Sequence, residues 1–515
     1  MAGRAQPVSS LPGVSAAALV AAVILGTLAA VALRAESGGG FGPADWAALR
    51  FTLIQAVLST LLSAVVAIPV ARALARRRFM GRRALIALLG APFILPVIVA
   101  ILGLLQVFGR AGWISDILGY YGLPPVRIYG LHGVVLAHVF FNLPLATRLI
   151  LQAWQEVPAE RFRLAAQLGC NGWAMFRLIE ATMLARVLPG VLAVIFAICL
   201  TSFAVALTLG GGPRATTIEL AIYQAFTYDF DLGRAALLSA LQLALTAAAA
   251  LAALRFSRGD GFGAGLDLAI RRWDGGVPVL DAFWIITAAA FLLLPLGSVV
   301  ISGFAGLFEL PVMVFRAAFI SILVAAASTV VLLFLALPMA MAVATGRYGI
   351  VELSGILGLA ASPLVIGTGL FILIRPVANP TALALPVTAL VNAIMALPFA
   401  LRILVPAARG TVSQYGHLAL SLDMGKWAFL TLVLLPRMRP QIGFAAGLTA
   451  ALSMGDLGVI ALFADAQIAT LPLQIYRLMG AYQMQAAAGG ALLLLVLSMG
   501  VFWILDRGGR WHAEA

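Results

Sequence analysis

Charge is scarce in this chain. Only 10% of its 515 residues are Asp, Glu, Lys or Arg, against 63% hydrophobic, where a soluble globular chain carries roughly a quarter charged residues. That shortage excludes a soluble domain, and the apolar excess excludes disorder and collagen. Cysteine is nearly absent. Cys170 and Cys199 cannot build a disulfide framework and read as inert packing residues. Lysine is reduced to Lys426, so the net charge of +13 rests on arginine. The arginines fall in short clusters between apolar runs, the pattern of membrane loops rather than of a nucleic-acid surface. There is no Gly-x-x-x-x-Gly-Lys-Ser/Thr to cradle nucleotide phosphates and no Gly-x-Ser-x-Gly nucleophile elbow. His132, His138, His417 and His512 have no metal-ligand spacing. No catalytic, cofactor-binding or metal-binding residue is assigned, and the chain reads as a non-enzyme.

What it has is long apolar runs. A membrane helix needs about 20 apolar residues and satisfies its own backbone hydrogen bonds. Unbroken runs, rather than ~10-residue alternating segments, exclude a β-barrel. Twelve segments are expected, at about 13–34, 46–71, 84–109, 131–152, 186–209, 232–256, 277–303, 313–343, 349–375, 381–405, 438–463 and 485–505. The first, Val14 to Leu33, exceeds a signal-peptide core and reads as a retained helix. The second connection carries Arg72, Arg76, Arg77, Arg78, Arg82 and Arg83, which places it in the cytoplasm. Both termini then lie inside, with 24 of the 33 basic residues; the other 9 fall outside.

The second half repeats the first. Pro144, Arg148 and Trp173 recur 254 positions on as Pro398, Arg402 and Trp427. Ser59, Thr60 and Pro69 recur 269 positions on as Ser328, Thr329 and Pro338. The offset shrinks because the outside loop near 110–130 is longer than its partner near 376–380. Six crossings separate equivalent loops, so the repeat is parallel rather than inverted. The expected layout is a first half at 1–256, a Gly-rich cytoplasmic linker at 257–275 and a second half at 276–515. Prolines 69, 96, 144, 338, 363 and 398 read as kinks around a pathway, with helix packing as the alternative use.

Two long polar cytoplasmic loops, about 153–185 and 406–437, stand at equivalent depth. Each reads as one or two short helices. In the first, Phe162, Leu164, Ala165, Leu168, Trp173 and Phe176 give an apolar side; Arg161, Arg163, Gln167 and Arg177 give a polar one. In the second, Tyr415, Leu418, Leu422, Trp427 and Leu430 face Gln414, His417 and Asp423. Two equivalent surface helices want two equivalent partners or one symmetric dimeric partner; the alternative is a pair of amphipathic helices lying on the bilayer. Gly169 suits a turn at positive φ. Asp423 fits less well, though Asp tolerates that region better than most residues.

These loops resemble the coupling loops of bacterial ABC-importer permeases that work with a periplasmic binding protein. That family's pattern is Glu-Ala-Ala, three residues, Gly, nine residues, Ile, one residue, Leu-Pro. Here Arg163, Leu164 and Ala165 hold the first places, Gly169 and Ile179 match, and Ala181-Thr182 replace Leu-Pro. In the second copy His417, Leu418 and Ala419 come first, Asp423 replaces Gly, Val433 stands for Ile, and Leu435-Pro436 match. Within the family, the stretches HVFFNLPLATRLILQAW, RLAAQLG, LGGGPRATTIELAIYQAFTYDFD, SMGDLGVIALF and TLPLQIYRLMGAYQ are most similar to the fused thiamine permeases. The resemblance implies an all-α polytopic membrane protein of the type I ABC importer permease fold (MetI-like), with about twelve transmembrane helices in two parallel repeats. It implies an inner-membrane location, docking to an ATPase through Arg163, Leu164, Ala165, Gly169, Trp173, His417, Leu418, Ala419, Asp423 and Trp427, and ATP held by two copies of that partner. It also implies a periplasmic binding protein that delivers thiamine or its phosphates. The alternatives are a ferric-iron or other small-solute permease of the same fused type, an ion-coupled secondary transporter, and a scaffold without a cargo path.

Asp456 reads as the one acid deep in a span, and its repeat mate is Ser202. An intramembrane carboxylate faces a cavity or a partner. Asp456 is therefore a candidate counter-ion for a cationic cargo, set against a role in capping a broken helix or pairing an Arg. His138 and Asn142 share one helix face, and Asn392 is the repeat mate of His138. These five are the candidate pathway residues, with interhelical hydrogen bonding as the alternative for His138, Asn142 and Asn392. The outside loops 210–231 and 464–484 match through Thr217/Thr470 and Tyr223/Tyr476. They are candidates either for docking a binding protein or for outer gates packed on themselves. Tyr223 and Tyr228 suit a cationic cargo or an interfacial belt.

Overall fold

A computed structural model describes residues 10–35, 40–90, 94–210, 212, 215–256, 277–346, 348–463 and 468–510. The expected linker at 257–275 lies outside the described residues, as does Arg214. The described residues form helices and connections, with no strand among them. The first half holds α1 (Leu11–Ala35), α2 (Pro43–Arg76), α3 (Arg82–Leu88), α4 (Val97–Phe108), α5 (Trp113–Tyr120), α6 (Leu131–Glu156), α7 (Ala159–Gln167), α8 (Gly172–Met175), α9 (Ala181–Leu200), α10 (Phe203–Leu209), α11 (Ile218–Thr227) and α12 (Leu232–Phe256). The second holds α13 (Pro278–Gly306), α14 (Val312–Ala344), α15 (Tyr348–Ala360), α16 (Pro363–Ile374), α17 (Ala384–Ser421), α18 (Lys426–Phe429), α19 (Leu435–Gly455), α20 (Gly458–Phe463), α21 (Leu471–Gly480) and α22 (Met484–Arg510).

Ten helices among the described residues are long and apolar enough to cross a membrane. The difference from twelve lies in segments that break. At 349–375 the chain stops after α15 and restarts as α16. Pro363 opens the new helix, and the Ser362 hydroxyl accepts the Val365 amide (3.2 Å). Pro needs no hydrogen-bonded amide at that position, so it starts a helix there at no loss. Pro96 stands one place earlier, just before α4, with no side-chain bond to the helix. These two prolines therefore divide spans, whereas Pro69, Pro144, Pro338 and Pro398 lie inside α2, α6, α14 and α17. The segment at 438–463 divides at Asp456, and the segment at 186–209 divides at Thr201–Ser202.

Each half is built on three packed helices, α2–α6–α9 and α14–α17–α19. The first helix of each half crosses to the other. α1 packs on α14, α15 and α16, while α13 packs on α2 and α4. Glycine permits both crossings: a Cβ on Gly103 of α4 would overlap the Pro295 carbonyl of α13, and one on Gly369 of α16 would overlap the Thr27 carbonyl of α1. Without a hydrophobic drive between helices in lipid, such close backbone approach is a main source of affinity.

At the arginine-rich face a charge network joins the halves. The Arg72 Nε donates to Glu180 Oε2 (2.6 Å) and the Arg77 Nε donates to Asp281 Oδ2 (2.7 Å). Arg76 stands between, 3.8 Å from Glu180 and 3.9 Å from Asp281. Glu180 is fully buried, so removing it strands positive charge in a poorly solvated place. Glu180→Ala should lower stability by roughly 3 kcal/mol, read as a fall in the thermal midpoint of the purified protein in detergent. An unchanged midpoint would show that the buried acid does not stabilise the arginine cluster.

Candidate functional site: paired loops and a junction of broken helices

The two long loops end their helices in the same way. α7 stops with Gly169 at φ 71° and α17 stops with Asp423 at φ 49°. In each, the following amide reaches back five residues: Cys170 N to Ala165 O (3.0 Å) and Met424 N to Ala419 O (2.9 Å). This is the left-handed helix stop that glycine favours. Asp423 adopts the conformation that suited it less by sequence, since a short polar side chain tolerates it best after glycine. The loops differ before that point. Pro158 breaks α6 from α7, whereas Val412 stands at the matching place and α17 runs on unbroken.

Beyond the stops both loops form a short helix, then a π-helical turn, Phe176–Glu180 and Leu430–Leu434. Between them the loops expose four matched apolar pairs: Leu164/Leu418, Leu168/Leu422, Trp173/Trp427 and Leu178/Leu432, every residue more than half exposed. Arg163, His417, Gly169 and Asp423 are exposed beside them, while Ala165 is half-buried and Ala419 buried. Phe162 turns inward instead and is buried. Leu178 and Leu432 were not singled out by sequence; their 254-residue spacing was the available signal. Large apolar side chains held out at matched positions make these two loops candidates for an interaction surface.

Inside the bundle, the remaining breaks meet. Gly455, ending α19, lies against Pro96 at the α3–α4 break. Gly458, opening α20, lies against Leu364 of α16 and Phe203 of α10. Asp456 spans its own break, its Oδ1 accepting the Gly458 amide (3.2 Å). Its Oδ2 is buried without a hydrogen-bond partner among the described residues. Ser202 occupies the matching place and caps α10 by position, without a side-chain bond. His138, Asn142 and Asn392 are buried and tie helices together. His138 Nδ1 pairs with the Ser59 hydroxyl (3.2 Å), and Asn142 donates to Cys199 Sγ (3.3 Å). In the second half Asn392 donates to the Ser453 hydroxyl (3.0 Å), which pairs with Ser328 (2.8 Å). Ser453 is the repeat mate of Cys199, so each half carries one polar hub at the same depth.

At the opposite face α11 and α21 are tucked into their halves. The Ile218 amide donates to Thr52 Oγ1 (2.9 Å), and the Leu471 amide donates to Ser321 Oγ (2.8 Å). Tyr223 is buried and Tyr228 exposed. Between α1, α16 and the α11–α12 connection a cleft is lined by Arg34, Asp229, Asp231 and Arg375. Sequence reading missed Glu219. It falls in a loop by hydropathy, yet α11 buries it completely.

Two fused halves, each presenting an apolar-tipped loop on one face of a polytopic helical bundle, define the membrane subunit of a solute permease. No protein-family model matches the chain. It is 39% identical to the thiamine transport system permease protein of Salmonella typhimurium over the full length of both. It is 38% identical to that of Escherichia coli over 98% of each chain, and 40% identical to that of Brucella abortus over 97% of this chain and 95% of the relative. The chain belongs to the family of thiamine transport system permease proteins.

The helix stops can be tested separately from transport. Gly169→Val should strain α7 by about 1–2 kcal/mol and speed hydrogen exchange at the Cys170 amide. Asp423→Gly should slow exchange at Met424. The same sign of change in both variants would refute the left-handed stops.

Proposed function

We propose that the chain is the membrane subunit of a binding-protein-dependent ABC importer for thiamine. The observation that carries this reading is the pair of matched loops, with Leu and Trp held out at equivalent places. One chain supplies two equivalent handles, which suits two ATPase subunits, one on each. The arginine-rich face is then cytoplasmic, with both termini on that side and the bundle in the inner membrane. The binding protein delivers cargo at the opposite face, where the Arg34–Asp229–Asp231–Arg375 cleft offers charge of both signs.

In this reading ATP closes the ATPase pair and draws the two handles together. The α13 and α1 crossings carry that motion across the seam, and the junction of broken helices opens outward. Hydrolysis resets the packing, a shift between two states of the halves. Thiamine carries a permanent positive charge on its thiazolium ring. Asp456, with one buried oxygen unpaired, is placed to offset that charge in passage, which a purely capping role does not require. Ser202 at the matching site gives the path the asymmetry an asymmetric cargo needs. His138, Asn142 and Asn392 act through the hubs that set the helices lining it.

Trp173→Ala combined with Trp427→Ala should abolish co-purification of the ATPase and cut thiamine uptake at least tenfold, since buried aromatic anchors carry about 2 kcal/mol or more each. Native mass spectrometry should find one permease per two ATPase chains. Uptake at the parent rate in the double variant, or a 2:2 assembly, would overturn the coupling reading. Asp456→Asn should cut uptake while leaving assembly intact; unchanged uptake would end its role as counter-ion.

A further inference from the structure

Glu219 is placed on α11 where the fold does not call for an acid. Its equivalent on α21 is Pro472, and α21 still docks through the same amide-to-hydroxyl bond, Leu471 to Ser321 matching Ile218 to Thr52. Glu219 is fully buried. Its Oε1 accepts from Gln242 Nε2 (2.9 Å), and that same amide nitrogen donates to the Leu200 carbonyl (2.8 Å) at the α9–α10 break. Counted from the first turn of each last helix, the residue matching Gln242 is the buried Leu494. The acid and its holder are thus both peculiar to the first half. The Ser362 hydroxyl stands nearby, yet Oε2 is buried with no hydrogen-bond partner of ordinary geometry among the described residues. A buried carboxylate oxygen with a single hydroxyl in reach is under-satisfied in this packing and can take a further partner.

The surroundings say what that is. Tyr223 lies one turn along α11 from Glu219, on the same side of the helix. Its ring packs on Phe203 (5.3 Å between centroids). Phe203 lies against Gly458, whose amide is held by Asp456. A row of neighbours, Tyr223, Phe203 and Gly458, therefore runs from the stretch of α11 that carries Glu219 to the break that Asp456 caps. α11 also touches α16 and α20 of the other half, with Phe226 and Phe371 edge to face at 4.4 Å across the seam. Parting the halves uncovers this group.

We propose that Glu219 is the second carboxylate of the cargo site, paired with Asp456 around Phe203 and Tyr223, and that together they select a flat heteroaromatic cation. The rings supply stacking and cation–π contact, and the acids supply charge. This rests on the thiamine reading above. Gln242 fixes the carboxylate toward the junction, so Glu219 is a binding residue and Gln242 its positioning partner.

The test uses the permease reconstituted with its ATPase and binding protein, and thiamine as the probe. Glu219→Gln keeps size and can still accept from Gln242. It should assemble normally yet lower the maximal uptake rate roughly thirtyfold or more, the low end for losing one partner of a buried charge pair, with the half-saturating concentration of binding protein unchanged. Glu219→Asp should recover part of that loss. Combined with Asp456→Asn, the effects should fall short of multiplicative, because both acids hold one charge. Parent-like uptake by Glu219→Gln, or loss of the assembled complex without rescue by Glu219→Asp, would overturn the assignment and leave the thiamine reading standing. Failure of the unaltered complex to move thiamine would overturn both.

Discussion

In hydrocarbon every backbone amide and carbonyl must find its partner within the protein, and the architecture follows from where this chain breaks that rule. Its spans are interrupted at Pro96, at Thr201–Ser202, at Ser362–Pro363 and at Asp456. The breaks meet one another inside the bundle, where side chains take up the freed groups. Ser362 receives the Val365 amide, Asp456 the Gly458 amide, and Gln242 reaches the Leu200 carbonyl. The place where helices cannot continue is thereby made polar, which suits the solute path proposed there.

Duplication supplies the frame and divergence supplies the chemistry. The matched parts are mechanical: left-handed helix stops, exposed Leu and Trp pairs, π-helical turns, hydroxyls that dock α11 and α21, and a polar hub in each helix triad. The unmatched parts carry charge. Glu180 faces Leu434 in the repeat, Asp456 faces Ser202, and Glu219 faces Pro472. In the proposed cycle a two-subunit motor would act through the first set, and the cargo would meet Asp456 and Glu219 of the second.

Much of this was legible in the residues, for identifiable reasons. Hydropathy gave the spans because lipid imposes length and apolarity locally. Repeat offsets gave the equivalence of the loops because each loop is a contiguous stretch. Proline misled in two cases: Pro96 and Pro363 looked like Pro69 and Pro338, yet the former open helices and the latter sit inside them. The difference lies in whether neighbouring helices can hold the freed groups, which no local pattern reports. Asp423 was underrated because its tolerance of positive φ depends on the five-residue backbone bond that closes around it.

The order of helices, the doubling of the chain and the pair of loops were determined by sequence alone, since each depends on residues close together in the chain. Tertiary structure decided the rest. It placed Glu219 in the core rather than in a loop, and it carried the first helix of each half across to the other. It also brought the breaks together and turned His138, Asn142 and Asn392 into interhelical ties. These outcomes depend on contacts between segments far apart in the chain, and glycine seams as close as Gly103 on Pro295 choose among packings that hydropathy leaves equal.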